Sequence, residues 1–261
     1  MMEPLSEQQI LENLRQEQDS SAQYYAAWWL GKMRSRHPDA LPLLLRCLGY
    51  LHQNDTHADQ RGVALNAIRA LGLLQDDAAS DALIQLLQSD DYTVREEAAR
   101  SLGSIRAEAA IQPICHLLSG GIEQAGAEQN GSPRLREPCE ALLEALGDIG
   151  LNTAEVTSTL RPFQHHPRPL VRAAACRALL QLTHEPHFGE ELIHLLHHPE
   201  ALVRRVALLD LGATGWTGAL AAIQNASVEA SLKLVALRGL AESRHATRDA
   251  TTVLDAMDAL L

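Results

Sequence analysis

"VREEAARSLGSIR", residues 94–106, decides the fold. At roughly 100° per residue, Val94, Ala98, Leu102 and Ile105 fall on one stripe, while Glu96 and Arg100 point the opposite way. The phrase therefore reads as an amphipathic helix with one apolar face. It returns as "VRAAACRALLQLT" (171–183), "VRRVALLDLGATG" (203–215) and "LKLVALRGLAESR" (232–244). Looser copies are "AQYYAAWWLGKMR" (22–34), "VALNAIRALGLLQ" (63–75) and "PCEALLEALGDIG" (138–150). The leucine that precedes glycine in the first phrase recurs as Leu30, Leu71, Leu102, Leu146, Leu179, Leu211 and Leu240.

Between these copies lies a second apolar phrase, seen as "LPLLLRCL", "ALIQLLQ", "IQPICHLL", "ELIHLLHH" and "ALAAIQ". Two helices per repeat cannot bury their apolar faces alone and must stack on their neighbours. The period describes an α-solenoid of HEAT-like helical pairs. The expected fold is all-α, with about seven repeats wound as a curved right-handed superhelix in a single domain over 1–261. Strand signals are absent. Ser6 is placed to cap an N-terminal helix, "LSEQQILENLRQ". Two long repeats carry insertions, "GYLHQNDTHADQRG" (49–62) and "SGGIEQAGAEQNGSPRLREP" (119–138). Their turn-forming composition predicts mobile surface loops near 52–61 and 120–133.

The totals narrow the function. A net charge of -11 opposes general attraction to nucleic acid or anionic lipid. No apolar run approaches the ~18 residues that span a bilayer, and the polar N-terminus does not read as a signal peptide. Cys47, Cys115, Cys139 and Cys176 are widely spaced with no CxxC pair, so a cytoplasmic protein without disulfides or a zinc site is expected. His194 and His198 lie four apart with Glu190 four before His194, but His194 occupies an ordinary polar position of its repeat. No metal site is expected. Cys115 and Cys176 align with core positions of other repeats and read as small buried hydrophobes. No P-loop, GxSxG, GxGxxG or HExxH occurs. The residues describe a binding scaffold.

Carrying the 94–106 register to the other repeats gives two columns opposite the core. One runs Tyr24, Leu65, Glu96, Glu140, Ala173, Arg205, Leu234; the other runs Trp28, Arg69, Arg100, Glu144, Arg177, Leu209, Arg238. "YYAAWW" (24–29) holds four of the nine aromatic residues. The register sends Tyr24 and Trp28 outward and puts Tyr25 and Trp29 at the edge of the core. A covering N-terminal helix is the alternative account of Tyr24 and Trp28. The face reads as aromatic at one end, cationic along its length and dotted with carboxylates, which suits a flat anionic ligand or an acidic protein surface.

The phrases at 21–34, 91–103, 137–147 and 171–183, with "LVRRVALLDLGATGWTGALAAIQNASVEASLKLVALRGL" (202–240), resemble the E-subunit family of cyanobacterial phycocyanobilin lyases. The likeness covers about residues 5–242 and leaves "HATRDATTVLDAMDALL" (245–261) as a separate terminal helix. The resemblance implies a heterodimer with a shorter HEAT-repeat F-subunit. It implies that phycocyanobilin is a substrate, not a resident cofactor, attached by a thioether to a cysteine of the phycocyanin α-subunit. The acceptor supplies the nucleophile, and no metal or nucleotide is needed. On this reading Arg69, Arg100, Arg177, Arg205 and Arg238 would meet the bilin propionates. Glu96, Glu140 or Glu144 would accept pyrrole N–H groups, and Tyr24 and Trp28 would stack on the rings. Asp91, Glu96 and Asp210 are the candidate acids or bases. A scaffold that binds phycobilisome proteins without forming a bond, or a lyase for another bilin or acceptor, is the alternative.

Overall fold

A computed structural model describes residues 5–52, 58–242 and 250–260. Among them, sixteen α-helices follow one another: α1 (Glu7–Arg15), α2 (Ser20–Lys32), α3 (Ala40–Cys47), α4 (Ala58–Leu74), α5 (Ser80–Leu86), α6 (Tyr92–Ile105), α7 (Ile111–Leu117), α8 (Gly121–Gln124), α9 (Cys139–Ile149), α10 (Ala154–Leu160), α11 (Pro169–Thr183), α12 (Pro186–Leu195), α13 (Ala201–Thr214), α14 (Leu220–Asn225), α15 (Ala230–Glu242) and α16 (Ala250–Asp258). The described residues hold no strand, only an isolated bridge between Glu128 and Leu135. The chain divides into two compact units, Met1–Ile114 and Cys115–Leu261, with the boundary inside α7.

The seven copies of the quoted phrase are α2, α4, α6, α9, α11, α13 and α15. In the first unit α2, α4 and α6 lie side by side; in the second α9, α11, α13 and α15 do the same. The shorter α3 and α5 back the first set, and α10, α12 and α14 back the second. The stripe Val94, Ala98, Leu102 is buried, as are Val63, Ala67, Leu71, then Val171, Ala175, Leu179, and Val203, Ala207, Leu211. Each buried leucine contributes about 2 kcal/mol through the apolar surface it removes from water.

The Leu–Gly signature has a packing cause. A Cβ on Gly31 would come within 2.7 Å of the Ala70 Cα, and one on Gly147 within 2.7 Å of the Ala178 Cα. Gly72 would meet the Ser101 Cα at 2.8 Å and Gly212 the Ala236 Cα at 2.6 Å. Glycine lets the next helix of the layer approach backbone to backbone. At the α11–α13 junction Leu180 follows the leucine instead. The helices α2, α4, α6, α9, α11 and α13 also end alike. Arg34, Gln75, Arg106, Gly150, His184 and Gly215 all take a positive φ just past the last turn.

Ser6 caps α1 as expected: its hydroxyl accepts from the Gln9 N–H while the Gln9 side chain accepts from the Ser6 N–H at 2.8 Å. α1 packs on α2 and α3, burying Ile10, Leu11 and Leu14. The expected loop near 52–61 falls partly on 53–57, outside the described residues, and Ala58–Arg61 already belong to α4. The segment 120–133 differs from the loose loop expected. After α8 it doubles back, with the Gln129 N–H donating to Arg134 O and the Arg136 N–H to Ala127 O, both at 2.8 Å. The ring of buried His166 contacts Gly126 O at 3.0 Å, and Arg168 pairs with Glu128 at 2.6 Å, so the turn is tied to the chain after α10. The terminal helix expected in 245–261 is α16, which packs on α15 with Val253 and Ala256 buried.

Candidate functional site

In the first unit, α2 has a neighbour from its own layer on one side only, so its outer face stays open. Tyr24, Tyr25 and Trp28 are 48%, 44% and 46% exposed. With α1 packed on α2, Tyr24 and Trp28 still keep nearly half their surface in solvent, so a covering N-terminal helix does not bury them. Tyr25 departs from the expected edge-of-core position: its ring leans on Trp28 with centroids 5.6 Å apart. Trp29 is half-buried. The Tyr24 ring lies over Gly62 of α4, where an added Cβ would stand 3.6 Å from it. The patch thus consists of three rings rather than two.

The exposed Arg69 of α4 pairs with Glu97 of α6, and Arg100 reaches Glu96 one turn back at 3.5 Å. Both guanidinium groups keep a solvent-exposed side, while the Glu97 carboxylate that Arg69 meets is only 15% exposed. Asp91 caps α6 by accepting from the Thr93 N–H at 2.9 Å and pairs with Arg61 at 2.6 Å. The Arg61 hydrogen bond holds its carboxyl below the usual range. Its place as a cap accounts for it structurally. Leu65, in the outward column, is buried, because α4 is flanked on both sides.

In the second unit the same columns behave differently. Arg205 grips Glu229 with two nitrogens, and Arg238 bonds Glu242 one turn on at 2.8 Å. Glu140 is half-buried and Ala173 fully buried. Arg177 is drawn inward, with Nη2 2.7 Å from Asp148, and Nη1 3.5 Å from Asp210 and 3.9 Å from Glu144. Gln181 donates to Asp148 and to Ala213 O, each at 3.2 Å. Asp210 is 4% exposed, and its Oδ2 has no hydrogen-bond partner. Burial pushes its carboxyl up to about 7, with Arg177 pulling the other way. Asp148 and Gln181 were missed by the column register. Their signal was available, since each lies four residues after a column residue, Glu144 and Arg177, on the same helix face.

All four cysteines are buried and free. Burial raises the thiols of Cys47 to about 11 and of Cys139 and Cys176 to about 12, and raises Cys115 as well. Thiols so held are poor nucleophiles. Among the described residues no group of three His, Cys, Asp or Glu is arranged around a metal position, and no helix is long and apolar enough to cross a membrane.

Stacked helical pairs that present exposed rings and arginines while burying their thiols define a HEAT-repeat binding protein. The comparisons make the class specific. The chain matches the PBS lyase HEAT-like repeat over residues 22–50 and HEAT repeats over 51–129. The bilin biosynthesis protein RpcE of Synechococcus sp. strain WH8020 is 60% identical over 99% of this chain and 96% of its own length. Phycocyanobilin lyase subunit alpha of Picosynechococcus sp. strain PCC 7002 is 41% identical over 100% of this chain and 98% of its own. The solved complex of CpcE and CpcF of phycocyanin lyase from Nostoc sp. PCC7120 contains a chain 39% identical, with a TM-score of 0.86, covering 100% and 96% of the two chains. The chain belongs to the phycocyanobilin lyase α-subunit family.

Proposed function

We propose that this chain is one subunit of a two-subunit bilin lyase, which binds an open-chain tetrapyrrole, phycocyanobilin in the first instance, and joins it to a cysteine of the phycocyanin α-subunit. The observation that carries the reading is the relationship over the whole chain to lyase α-subunits, one of them solved in complex with a second subunit. The aromatic face of the first unit supports it: Tyr24, Tyr25 and Trp28 offer π-surfaces to pyrrole rings, and Arg69 and Arg100 offer forked donors to propionates. The acceptor's sulfur bonds the ethylidene carbon of the bilin and its proton ends on the adjacent ring carbon. No thiol of this chain is needed, in keeping with the burial of all four. A cytoplasmic setting, where apo-phycobiliproteins are made, belongs to the same proposal.

The test is co-expression with the partner subunit, a bilin source and a set of apo-phycobiliprotein subunits, followed by absorbance of the denatured product. A thioether-linked phycocyanobilin on the phycocyanin α-subunit, dependent on both lyase subunits, is expected. The relative at 60% identity is named for bilin biosynthesis without specifying the bilin, so phycoerythrobilin is offered as the competing substrate. Bilin attachment that is unchanged when this chain is omitted would sink the proposal.

A further inference from the structure

α2 and α4 lie side by side in a fixed register. A Cβ on Gly62 would stand 3.6 Å from the Tyr24 ring, and one on Gly31 would stand 2.7 Å from the Ala70 Cα. Gly62 comes 38 positions after Tyr24 and Ala70 comes 39 after Gly31, so the helices run parallel. Lys32 of α2 is therefore level with Arg69 of α4 to within two residues, about 3 Å of helical rise. At roughly 100° per residue, Tyr24, Trp28, Lys32 and Tyr25 fall in that order across an arc of about 100°. All four are exposed. The arc carries rings for two turns and ends on an ammonium group. At the other end of α2, Glu17 is exposed and Asp19 caps the helix. The helix dipole accounts for a cation at the C-terminal end, but not for three exposed rings in line with it. The nearby cations differ in kind. Among the described residues the Lys32 ammonium group has no hydrogen-bond or ion-pair partner. Arg69 and Arg100 are matched by Glu97 and Glu96. Arg69 is also held from beneath. Asn66, 4% exposed, accepts from its Nη1 at 3.4 Å and donates to Tyr24 O at 3.2 Å. One buried amide thus ties the ring-bearing helix to the guanidinium group.

We infer that Lys32 and Arg69 form a two-point clamp for the two propionates of the bilin, and that Asn66 is the positioning residue that sets it. The inference rests on the bilin-binding reading and adds to it the residues that fix the ligand's orientation. An open-chain tetrapyrrole carries its propionates on its two central rings, so one molecule presents two neighbouring anions to two neighbouring helices. Lys32 meets one as an uncompensated charge. Arg69, its charge already matched by Glu97, meets the other as an aimed donor. The central rings then lie over Trp28, one turn before Lys32 on the same arc, with the carboxylates toward the C-terminal end of α2. The reverse orientation would bring the propionates toward Glu17 and Asp19, which repel them. The clamp therefore selects for free carboxylates as well as for a flat conjugated ring system.

The test is titration of the two-subunit complex with phycocyanobilin and with its propionate dimethyl ester. The wild-type complex should bind the free acid about tenfold more tightly than the ester, from two exposed charge contacts. Lys32→Met should lose about fivefold in affinity for the acid and nothing for the ester. Lys32→Arg should restore the wild-type ratio. Arg69→Met should narrow the gap between acid and ester by less than Lys32→Met does. Asn66→Ala leaves the Arg69 guanidinium held by Glu97 without its second anchor and should narrow the gap while keeping affinity for the ester. A purely structural asparagine would lower both affinities together, and that result overturns its positioning role. Should Asn66→Ala fail to fold, the exposed Lys32 variants still decide the clamp. A Lys32→Met complex with an unchanged acid-to-ester ratio, or with equal losses for both, overturns the clamp, while wild-type binding keeps the bilin reading intact. A wild-type complex that binds neither form overturns both.

Discussion

The outer face of α2 and the corresponding face of α11 occupy the same place in the repeat but do opposite things. α2 leaves large rings in water, with Trp28 46% exposed, where α11 turns an arginine inward among carboxylates. The number of flanking helices accounts for much of the difference. α2 is first in its layer, whereas α11 is held between α9 and α13. A helix with two neighbours presents a narrower arc to solvent, so a position that points away from the core can still point under an adjacent helix.

The comparison is broken most severely at Arg177. Arg177→Ala should cost about 3–5 kcal/mol, because it strands buried carboxylates; urea melts at neutral pH measure it. A loss below 1 kcal/mol would mean that the cluster is solvated. Next comes the layer spacing. Gly212→Ala should cost about 1–3 kcal/mol, since the added Cβ meets α15 backbone that cannot yield as a flexible side-chain tip would. Melts of Gly49→Ala, where nothing lies within 4 Å of the added atom, supply the control.

The two units should also answer pH in opposite senses. Asp91, lowered by Arg61, contributes stability that is present above its unfolded value and lost as pH falls through its lower folded value. Asp210, raised by burial, contributes stability that is lost as pH climbs toward 7. Hydrogen exchange resolved to α6 and α13 should show α6 weakening in acid and α13 weakening toward neutrality. Parallel behaviour in both helices would refute the contrast. The smallest effect on folding is expected at the exposed ring. Trp28→Ala should change stability by no more than about 0.5 kcal/mol, yet lower bilin affinity roughly fivefold, for a stacking contact of about 1 kcal/mol. Trp29→Ala, half-buried, should reverse that pattern.

Much of this architecture was legible because it is periodic. The copies of "VREEAARSLG" carry both the helix and its buried stripe, and Leu–Gly marks the close approach at Gly31, Gly72, Gly147 and Gly212. The columns were legible only where helices lack neighbours. Tyr24, Trp28, Arg69, Arg100, Arg205 and Arg238 are exposed as the wheel implies, but Leu65 and Ala173 are buried and Arg177 is drawn inward. A helical wheel treats each helix as having one buried side, and flanked helices have three. Tyr25 was misplaced for the converse reason, because α2 lacks one flank. The charge cluster assembles residues from α9, α11 and α13 that lie more than sixty positions apart, from Glu144 to Asp210, and no local pattern announces such a meeting.

Six helices, α2, α4, α6, α9, α11 and α13, are followed by a left-handed residue, yet two of those residues are glycine and four are Arg34, Gln75, Arg106 and His184. An L side chain crowds its own carbonyl in that conformation, by about 1–2 kcal/mol. The chain therefore carries removable strain at four surface corners, outside both the aromatic face and the charge cluster. Replacing those four by glycine offers a route to a more heat-tolerant version of the protein, in which ligand-contact variants that would otherwise be lost to misfolding could be produced and assayed.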